Sequence, residues 1–191
     1  MSTRAETAVP DERLWLARAV LVLRRPREVF AALRDDSNES ARARQEAVTA
    51  LTILAGIAGV LWTPTWGHLM DDPVYDGLLV AVVSFIGGAI YGPVLYWLLG
   101  LLVYAGERAV GVGASFRRAR HLVAYAAAPV ALSLVLWPPR LALYGDDVFR
   151  SGGSDKGAGN AVFAGLELAF AAWALALLVL GALTVNARVR R

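Results

Sequence analysis

The sequence contains no cysteine, few charged residues and a single lysine. Without thiols it can form neither a disulfide framework nor a thiolate zinc site. Charged residues make up 18% of the 191 residues and apolar residues 57%, whereas soluble domains carry about 25% charged residues. The mean hydropathy is +0.51. So few charges cannot cover a water-exposed surface, and the composition therefore indicates a membrane protein.

The basic residues do not indicate nucleic-acid binding, although the pI is about 9.6. They form no single basic face with interleaved aromatic residues, as a surface that follows a phosphate backbone would require. Instead they cluster between apolar segments. A bilayer explains this distribution, because charges are costly inside hydrocarbon and accumulate where the chain leaves it. We therefore expect no nucleic-acid partner.

Motifs typical of enzymes are also missing. The sequence has no glycine-flanked nucleophilic serine, no His–carboxylate–nucleophile set and no glycine-rich phosphate loop. His68 lies near Asp71, Asp72 and Asp76, but their spacing follows no known ligand pattern. We predict no enzyme activity, no metal site and no cofactor.

Several apolar segments are long enough to cross a bilayer, which takes about 20 helical residues. The predicted spans are 47–66, 77–104, 122–137 and 161–185. Residues 47–191 would form a transmembrane domain, and residues 1–46 a cytoplasmic segment with amphipathic surface helices. The sequence thus predicts an all-α, polytopic membrane helical bundle with four transmembrane helices.

The run LWLARAVLVL, residues 14–23, is too short for a further span and is interrupted by Arg18. No small-residue cleavage site follows it, so a signal peptide is not indicated. Pro26 favours a second short helix in which it is the first-turn residue. That helix has an apolar face formed by Val29, Phe30 and Leu33. We expect the amphipathic segment 11–34 to insert its apolar side into the cytoplasmic leaflet.

The connecting segments alternate in arginine content. Nine arginines precede the first span, and the loop GHLMDDPVYD that follows it has none. The loop before the third span is basic, the next balances acidic and basic residues, and the tail is basic again. Short arginine-rich segments stay in the cytoplasm. We therefore predict that both termini are cytoplasmic, in a bacterial plasma membrane.

Two groups of arginines are candidate contacts for anionic lipid or for a partner protein. One flanks the surface helices and the other precedes the third span. The first group is Arg24, Arg25 and Arg27, and the second is Arg117, Arg118 and Arg120. Basic residues near an anionic leaflet gain about 1 kcal/mol each. Setting the orientation and touching headgroups is the simpler interpretation, and protein docking is the alternative.

Small residues and prolines inside the spans predict close helix packing. Gly88 and Gly92 are four residues apart, which lets another backbone approach, and Pro93 then bends the helix. Pro129 lies in the third span, where neighbouring helices must satisfy the carbonyl that it leaves free. Further small pairs are Ala55 with Gly59 and Gly165 with Ala169. A lipid-lined groove at the bend is the functional alternative to simple packing.

Glu167 is the only acidic residue inside a predicted span. A carboxylate in hydrocarbon is costly, which makes Glu167 a candidate for a proton or ion site. It also lies near the outer end of its helix, from where it could reach headgroups or water instead.

A series of motifs resembles the prokaryotic branch of the Yip-domain family, the Ypt/Rab-interacting integral membrane proteins. The carrying residues are Gly111, Gly113, Ser115, Phe116, Ala124, Tyr125 and Pro129, with an echo of the family's Tyr-Gly-Pro motif at Tyr91, Gly92 and Pro93. The resemblance implies a multi-span, non-enzymatic membrane protein. Its eukaryotic relatives engage prenylated small GTPases and take part in vesicle formation or membrane shaping.

The resemblance also implies a fifth span, whereas four are predicted here. Either that helix is naturally absent or the sequence is a truncated form. Without it, its packing partners would expose a groove that favours oligomerisation or lipid occupancy. The leading hypothesis is therefore a non-enzymatic protein that shapes the membrane or scaffolds partners, with lipids, a second copy or other membrane proteins as its contacts. The alternative is a transporter, channel or lipid-moving protein that uses the bent second span and Glu167.

Overall fold

The structure is a computed structural model that describes residues 15–111, 113 and 115–187. Over these residues every regular element is helical and no strand is present. Four stretches are long and apolar enough to cross a membrane: Asn38–Leu61, Gly77–Ala109, Phe116–Phe149 and Ala158–Asn186. The predicted all-α bundle with four transmembrane helices is confirmed. The basic tail and the first residues of the predicted surface segment lie outside the described residues.

Two short helices precede the bundle, α1 (Trp15–Arg24) and α2 (Pro26–Ala32), and Pro26 occupies the first turn of α2 as predicted. Their apolar sides pack against the long helices and not outward. Val22, Phe30 and Leu33 are at most 1% exposed. These side chains are therefore buried in protein and unavailable to lipid. The helices are docked on the bundle, and we call the end of the bundle that carries them the proximal end.

The first long helix, α3 (Asn38–Leu61), begins and ends earlier than the predicted span. Its start is fixed by Ser37, whose hydroxyl accepts a hydrogen bond from the backbone N–H of Ser40 at 3.3 Å. Its end is fixed by Pro64, because the residue before a proline is driven out of the helical conformation. Thr63 accordingly has ψ 143°, and 3-10 turns follow over Pro64–Asp71.

The second long helix, α4 (Gly77–Ala109), runs unbroken through Pro93. Asp76 caps its start by accepting from Leu79 N at 2.7 Å. The third stretch is segmented into α5 (Phe116–Ala126), α6 (Ala128–Leu132), a 3-10 turn and α7 (Trp137–Tyr144). The sequence placed the end of this span at the two prolines after Trp137. They instead begin α7, since first-turn prolines need no donor.

The last helix, α8 (Ala158–Asn186), packs against α2, α5 and α6, whereas α4 packs against α3 and α5. The proximal core includes Phe30, Leu51, Leu122 and Tyr125, all at most 2% exposed. A second core joins the connections at the opposite end, which we call the distal end, and contains Trp66, Trp137 and Phe149. The outer faces of α4 and α8 are lined with exposed apolar side chains such as Leu102 and Leu168, as expected of surfaces that face hydrocarbon.

Candidate functional site

At the proximal end, Arg117 ties the start of α5 to the segment between α2 and α3. Its Nε lies 2.7 Å from Asp36 Oδ1 and its Nη1 2.7 Å from Asn38 Oδ1. Ser115 donates its hydroxyl to the other oxygen of Asp36 and also caps α5 by accepting from Arg118 N at 3.1 Å. We call Asp36, Asn38, Ser115 and Arg117 the proximal clasp. Arg117 was predicted to contact lipid or a partner, and the structure engages it within the chain.

The electrostatics of the clasp favour a charged Asp36. Partial burial alone would raise the pKa of Asp36, but the Ser115 hydroxyl and the Arg117 guanidinium together hold it below its usual range. The contribution of Asp36 to stability is therefore complete above its unfolded pKa of about 3.9. It is lost as the pH falls through the lower value of the folded state.

The clasp makes a testable contribution to stability. Replacing Asp36 by asparagine is expected to lower the free energy of unfolding by about 1 kcal/mol at neutral pH, a modest value because Arg117 is partly exposed. The difference should shrink as the pH falls from about 4 toward the lower pKa that Asp36 has in the folded state, because Asp36 of the parent is progressively protonated over this range. SDS titration of the purified protein at pH 7 and pH 3.5 measures both values. The variant Glu46→Gln removes an exposed charge from α3 as a control, and an equal effect in both variants would contradict the clasp.

Sequence analysis missed Arg44, which is 7% exposed. Its two terminal nitrogens donate to the carbonyl oxygens of Ala32 and Asp35, each at 2.7 Å. Arg44 thereby satisfies the Ala32 carbonyl, which helix α2 leaves open at its C-terminus, and the Asp35 carbonyl in the segment that follows. The only signal in the sequence is an arginine inside the first turns of α3, which looks like an ordinary flanking charge.

The other predicted arginines differ in their surroundings. Arg24, Arg25 and Arg27 are exposed on the docked helices, and Arg25 lies 3.4 Å from Glu28. Arg118 donates to the Gly113 carbonyl at 2.9 Å. The proposed contacts of these side chains with lipid or a partner stay a prediction. Of the two predicted groups, the one on the docked helices presents the more accessible charge.

Arg120 lies among aromatic rings at the contact between α4 and α5. Its guanidinium carbon is 3.8 Å from the centroid of the Trp97 ring, 4.8 Å from Phe116 and 5.3 Å from Tyr96. Gly100 gives it room, because a β-carbon there would lie 3.1 Å from Arg120 Cα. Cation–π contacts of this kind gain about 0.5–2 kcal/mol. Arg120 therefore helps to hold the two helices together.

The backbones of α3 and α4 touch where Gly88 and Gly92 meet Gly56. A β-carbon at Gly88 would lie 2.5 Å from the backbone nitrogen of Ile57, and one at Gly56 would lie 2.6 Å from the backbone of Gly92. The sequence located one side of this contact and missed Gly56. Gly59 of the pair named in the sequence instead faces the Tyr91 ring. The helix contact predicted at Gly165 and Ala169 of α8 is wrong, because nothing lies within 4 Å of a β-carbon at Gly165.

Beside this crossing a groove of about 280 Å³ opens between α3, α4 and the break before α6. We call it the membrane groove. Its walls are almost entirely apolar, and small residues such as Ala55, Gly59 and Ala127 make room for it. Tyr91, between Gly88 and Gly92, lies on its rim and is 38% exposed. A cavity therefore lies beside the predicted bend, and its occupation by lipid stays a prediction.

Tyr125 and Pro129 flank a break in the third stretch. Helix α5 ends at Ala126, and Pro129 lies in the first turn of α6. Pro129 is tolerated because a first-turn position needs no backbone donor. Tyr125 is 1% exposed and belongs to the proximal core. Both residues are structural in this arrangement, and neither lines the membrane groove.

Glu167 belongs to an ion cluster at the distal end. Arg140 of α7 reaches Glu167 Oε1 at 3.4 Å, Asp155 Oδ2 at 3.1 Å and Asn160 Oδ1 at 3.0 Å. Lys156 Nζ lies 3.3 Å from the second oxygen of Asp155, whose side chain is fully buried. We call Arg140, Asp155, Lys156 and Glu167 the distal ion cluster. Sequence analysis found Glu167 and missed its partners, because Arg140 and Asp155 were counted only as loop charges.

Three members of the distal ion cluster, Arg140, Lys156 and Glu167, line a polar cavity of about 440 Å³. We call it the distal cavity. Aromatic residues of the distal connections form other parts of its wall: Trp62, Trp66 and Trp137. His68 also lines it, and Ser151 lies at its edge. A cavity lined by both charged side chains and tryptophans is typical of a membrane–water interface.

The acidic residues near His68 serve local structure. Asp71 accepts from the backbone N–H of Ser151 at 3.0 Å, and hydrogen bonds from Ser151 hold the pKa of Asp71 below its usual range. Asp72 accepts from Val74 N at 3.0 Å, and Asp76 caps α4. Across the described residues no group of three or more His, Asp or Glu side chains is arranged to hold a metal ion.

Long apolar helices, a glycine-mediated crossing and charges confined to the two ends define a polytopic helical membrane protein. The family model of the Yip1 domain matches residues 20–190. The chain therefore belongs to the Yip1 domain family, a family of non-enzymatic membrane proteins. The match names the domain and no branch, so the prokaryotic assignment stays a prediction. Neither the curated proteins nor the solved structures contain a significant match.

Proposed function

We propose that the protein is a non-enzymatic organiser of the membrane that gathers anionic lipid, and through it partner proteins, at its cytoplasmic face. The observation that supports this proposal is the exposed basic surface of the docked helices, formed by Arg24, Arg25 and Arg27. The rigid attachment of these helices holds the three charges in one place. Such a surface attracts acidic headgroups with about 1 kcal/mol per arginine.

The docking of α1 and α2 changes how the surface would act on lipid. The buried side chains Val22, Phe30 and Leu33 anchor the helices to the bundle. Among the described side chains of α1, the large apolar ones that are exposed are Val20 and Leu21, at 45% and 39%. We therefore expect these two side chains to make shallow contact with the bilayer while the arginines attract lipid headgroups. The whole apolar face of the two short helices would not insert.

The proposed location is a bacterial plasma membrane with both termini in the cytoplasm. The proximal end carries the arginine-rich segments and the distal end the arginine-poor ones. Under the positive-inside rule the proximal end faces the cytoplasm. We do not propose a transport function, since Arg140 neutralises the intramembrane carboxylate that such a path would use.

The lipid proposal predicts a charge-dependent local enrichment of anionic lipid. The full-length variant Arg24→Gln/Arg25→Gln/Arg27→Gln is expected to recruit several-fold less phosphatidylglycerol, because three attractions of about 1 kcal/mol are removed. The measurement is energy transfer from tryptophan to a labelled phosphatidylglycerol in vesicles with a neutral background lipid. Replacing the same residues by lysine keeps the charge and should preserve the enrichment. Equal enrichment in the glutamine variant and the parent would refute the proposal.

A further inference from the structure

We propose that the distal cavity and the membrane groove together form one binding site for a phospholipid with a zwitterionic, primary-amine headgroup. Trp62 lines both cavities. The polar cavity therefore adjoins the apolar groove at the end of α3. A charged cavity next to an apolar groove matches the order of headgroup and acyl chain in a phospholipid.

The groove has the character of an acyl-chain site. Its walls come from three parts of the bundle. Glycine and alanine residues in these walls leave a channel that larger side chains would fill. Leu99 and Tyr91 at its rim are 41% and 38% exposed, so the groove is open toward hydrocarbon. Lipid can therefore enter sideways from the bilayer without passing through the protein.

Two buried polar atoms belong to residues of the proposed site: Trp62 lines both cavities and Thr52 lines the groove. The indole Nε1 of Trp62 and the hydroxyl of Thr52 are buried and have no hydrogen-bond partner within the described residues. Buried polar groups normally have partners, and an orphaned donor costs about 1–3 kcal/mol. Because Trp62 lines both cavities, a rotation of its ring would let Nε1 donate to an ester or phosphate oxygen of a lipid. Arg140 Nε, which is also buried and unpartnered, provides a second donor at the cavity.

The charges of the distal cavity select the headgroup. Two cations, Arg140 and Lys156, are balanced by Asp155 and Glu167, all within one connected cluster. Arg140, Lys156 and Glu167 line the cavity, whereas Asp155 is fully buried behind it. A purely anionic headgroup would meet the Glu167 carboxylate, and a lone cation would meet two basic groups. A zwitterion matches both signs. Lys156, whose side chain is 35% exposed, can turn to the phosphate, and Glu167 has one carboxylate oxygen outside its contact with Arg140.

The tryptophans of the cavity favour an amine. Trp66 and Trp137 line the cavity. Trp137 already carries the Arg140 guanidinium, 5.2 Å from its ring centroid, and stacks on Phe149, so Trp66 is the ring left for a ligand. Indole rings attract ammonium groups, with a larger gain where water is excluded. The ammonium of the headgroup would therefore lie near Trp66 and Glu167. This inference concerns the distal end and does not depend on the function proposed for the proximal arginines.

The experiment uses the full-length protein in nanodiscs that contain phosphatidylethanolamine and phosphatidylglycerol in equal amounts. Native mass spectrometry after release from the nanodisc reports which lipid stays bound. We expect one phosphatidylethanolamine per chain, retained about tenfold over phosphatidylglycerol. Lys156→Gln and Glu167→Gln are each expected to reduce this preference about tenfold, to near equality. Equal retention of the two lipids by the parent protein would overturn the headgroup assignment.

The groove is tested with two matched variants in which an alanine is replaced by leucine. Ala55→Leu fills the groove and should abolish retention, whereas Ala172→Leu on the exposed side of α8 should leave it unchanged. Soluble glycerophosphoethanolamine should fail to displace the lipid, and complete displacement would show that the groove contributes nothing. A phosphatidylethanolamine with a photoreactive acyl chain provides a test on the unaltered protein. Labelling should concentrate in the α3 and α4 peptides of the groove, and uniform labelling of exposed faces would overturn the site.

Discussion

Replacing Arg140 by methionine is expected to lower the free energy of unfolding by about 3–5 kcal/mol, because it leaves the largely buried Glu167 without a cation and the fully buried Asp155 with Lys156 alone. Asp155 has a fully buried side chain and Glu167 one that is 15% exposed. Methionine retains much of the side-chain volume, so the effect isolates the charge. SDS titration in mixed micelles measures the change in unfolding free energy.

Two further variants separate the charge from packing. Arg150 lies in the connection between α7 and α8 and is exposed. Arg150→Met should therefore change stability by less than about 0.5 kcal/mol. Adding Asp155→Asn and Glu167→Gln to Arg140→Met removes the orphaned charges and should recover at least half of the loss. A loss below about 1 kcal/mol in Arg140→Met, or no recovery in the triple variant, would contradict the ion cluster as described.

Gly88→Ala is expected to destabilise the bundle by about 2 kcal/mol or more, since the added methyl group meets the backbone of Ile57 as well as its side chain. Overpacking is relieved cheaply only where the neighbour can rotate away. Here α3 and α4 must separate along their crossing, which also disturbs the contacts of Gly92 with Thr52. Unfolding in SDS and the yield of folded protein in mild detergent report the effect.

The same substitution at Gly165 provides the control. A methyl group there meets nothing within 4 Å. Gly165→Ala should leave stability unchanged or raise it by up to about 1 kcal/mol, because alanine has the higher helix propensity. The two variants therefore differ in the sign of their effect. Destabilisation of both by the same amount would show that the crossing is not the cause.

The sequence predicted the fold class and the number of membrane-spanning stretches, because apolar length and loop charge are local properties. Boundaries were less accessible. Helix α3 ends at Leu61 and not at the second tryptophan, since Pro64 restricts the residue before it. The prolines after Trp137 were interpreted as a stop, whereas they begin a further helix. A proline ends one helix and starts the next with equal ease, and only the packing of the following residues decides between them.

The candidate sites show a similar division. Gly88 and Gly92 were found from their spacing, but the partner Gly56 was missed because α3 has several small residues on different faces. Glu167 was found as an isolated charge in an apolar segment. Its partner Arg140 lies 27 residues away in sequence, and no periodic pattern connects the two. Contacts between separate helices depend on rotation and register, which a single sequence does not encode in a readable form.

The central claim is that the chain crosses the membrane four times, so that successive connecting segments lie on opposite sides. Single-cysteine labelling tests this claim most directly. The chain contains no cysteine, so each introduced thiol reports one site. The variants Arg42→Cys, Val74→Cys, Val110→Cys and Gly152→Cys place thiols at exposed positions in successive segments. With a membrane-impermeant maleimide on intact bacterial cells expressing the protein, the Val74 and Gly152 variants should be labelled, and the Arg42 and Val110 variants only after lysis. Labelling of all four in intact cells, or of adjacent segments from the same side, would contradict the four-span arrangement.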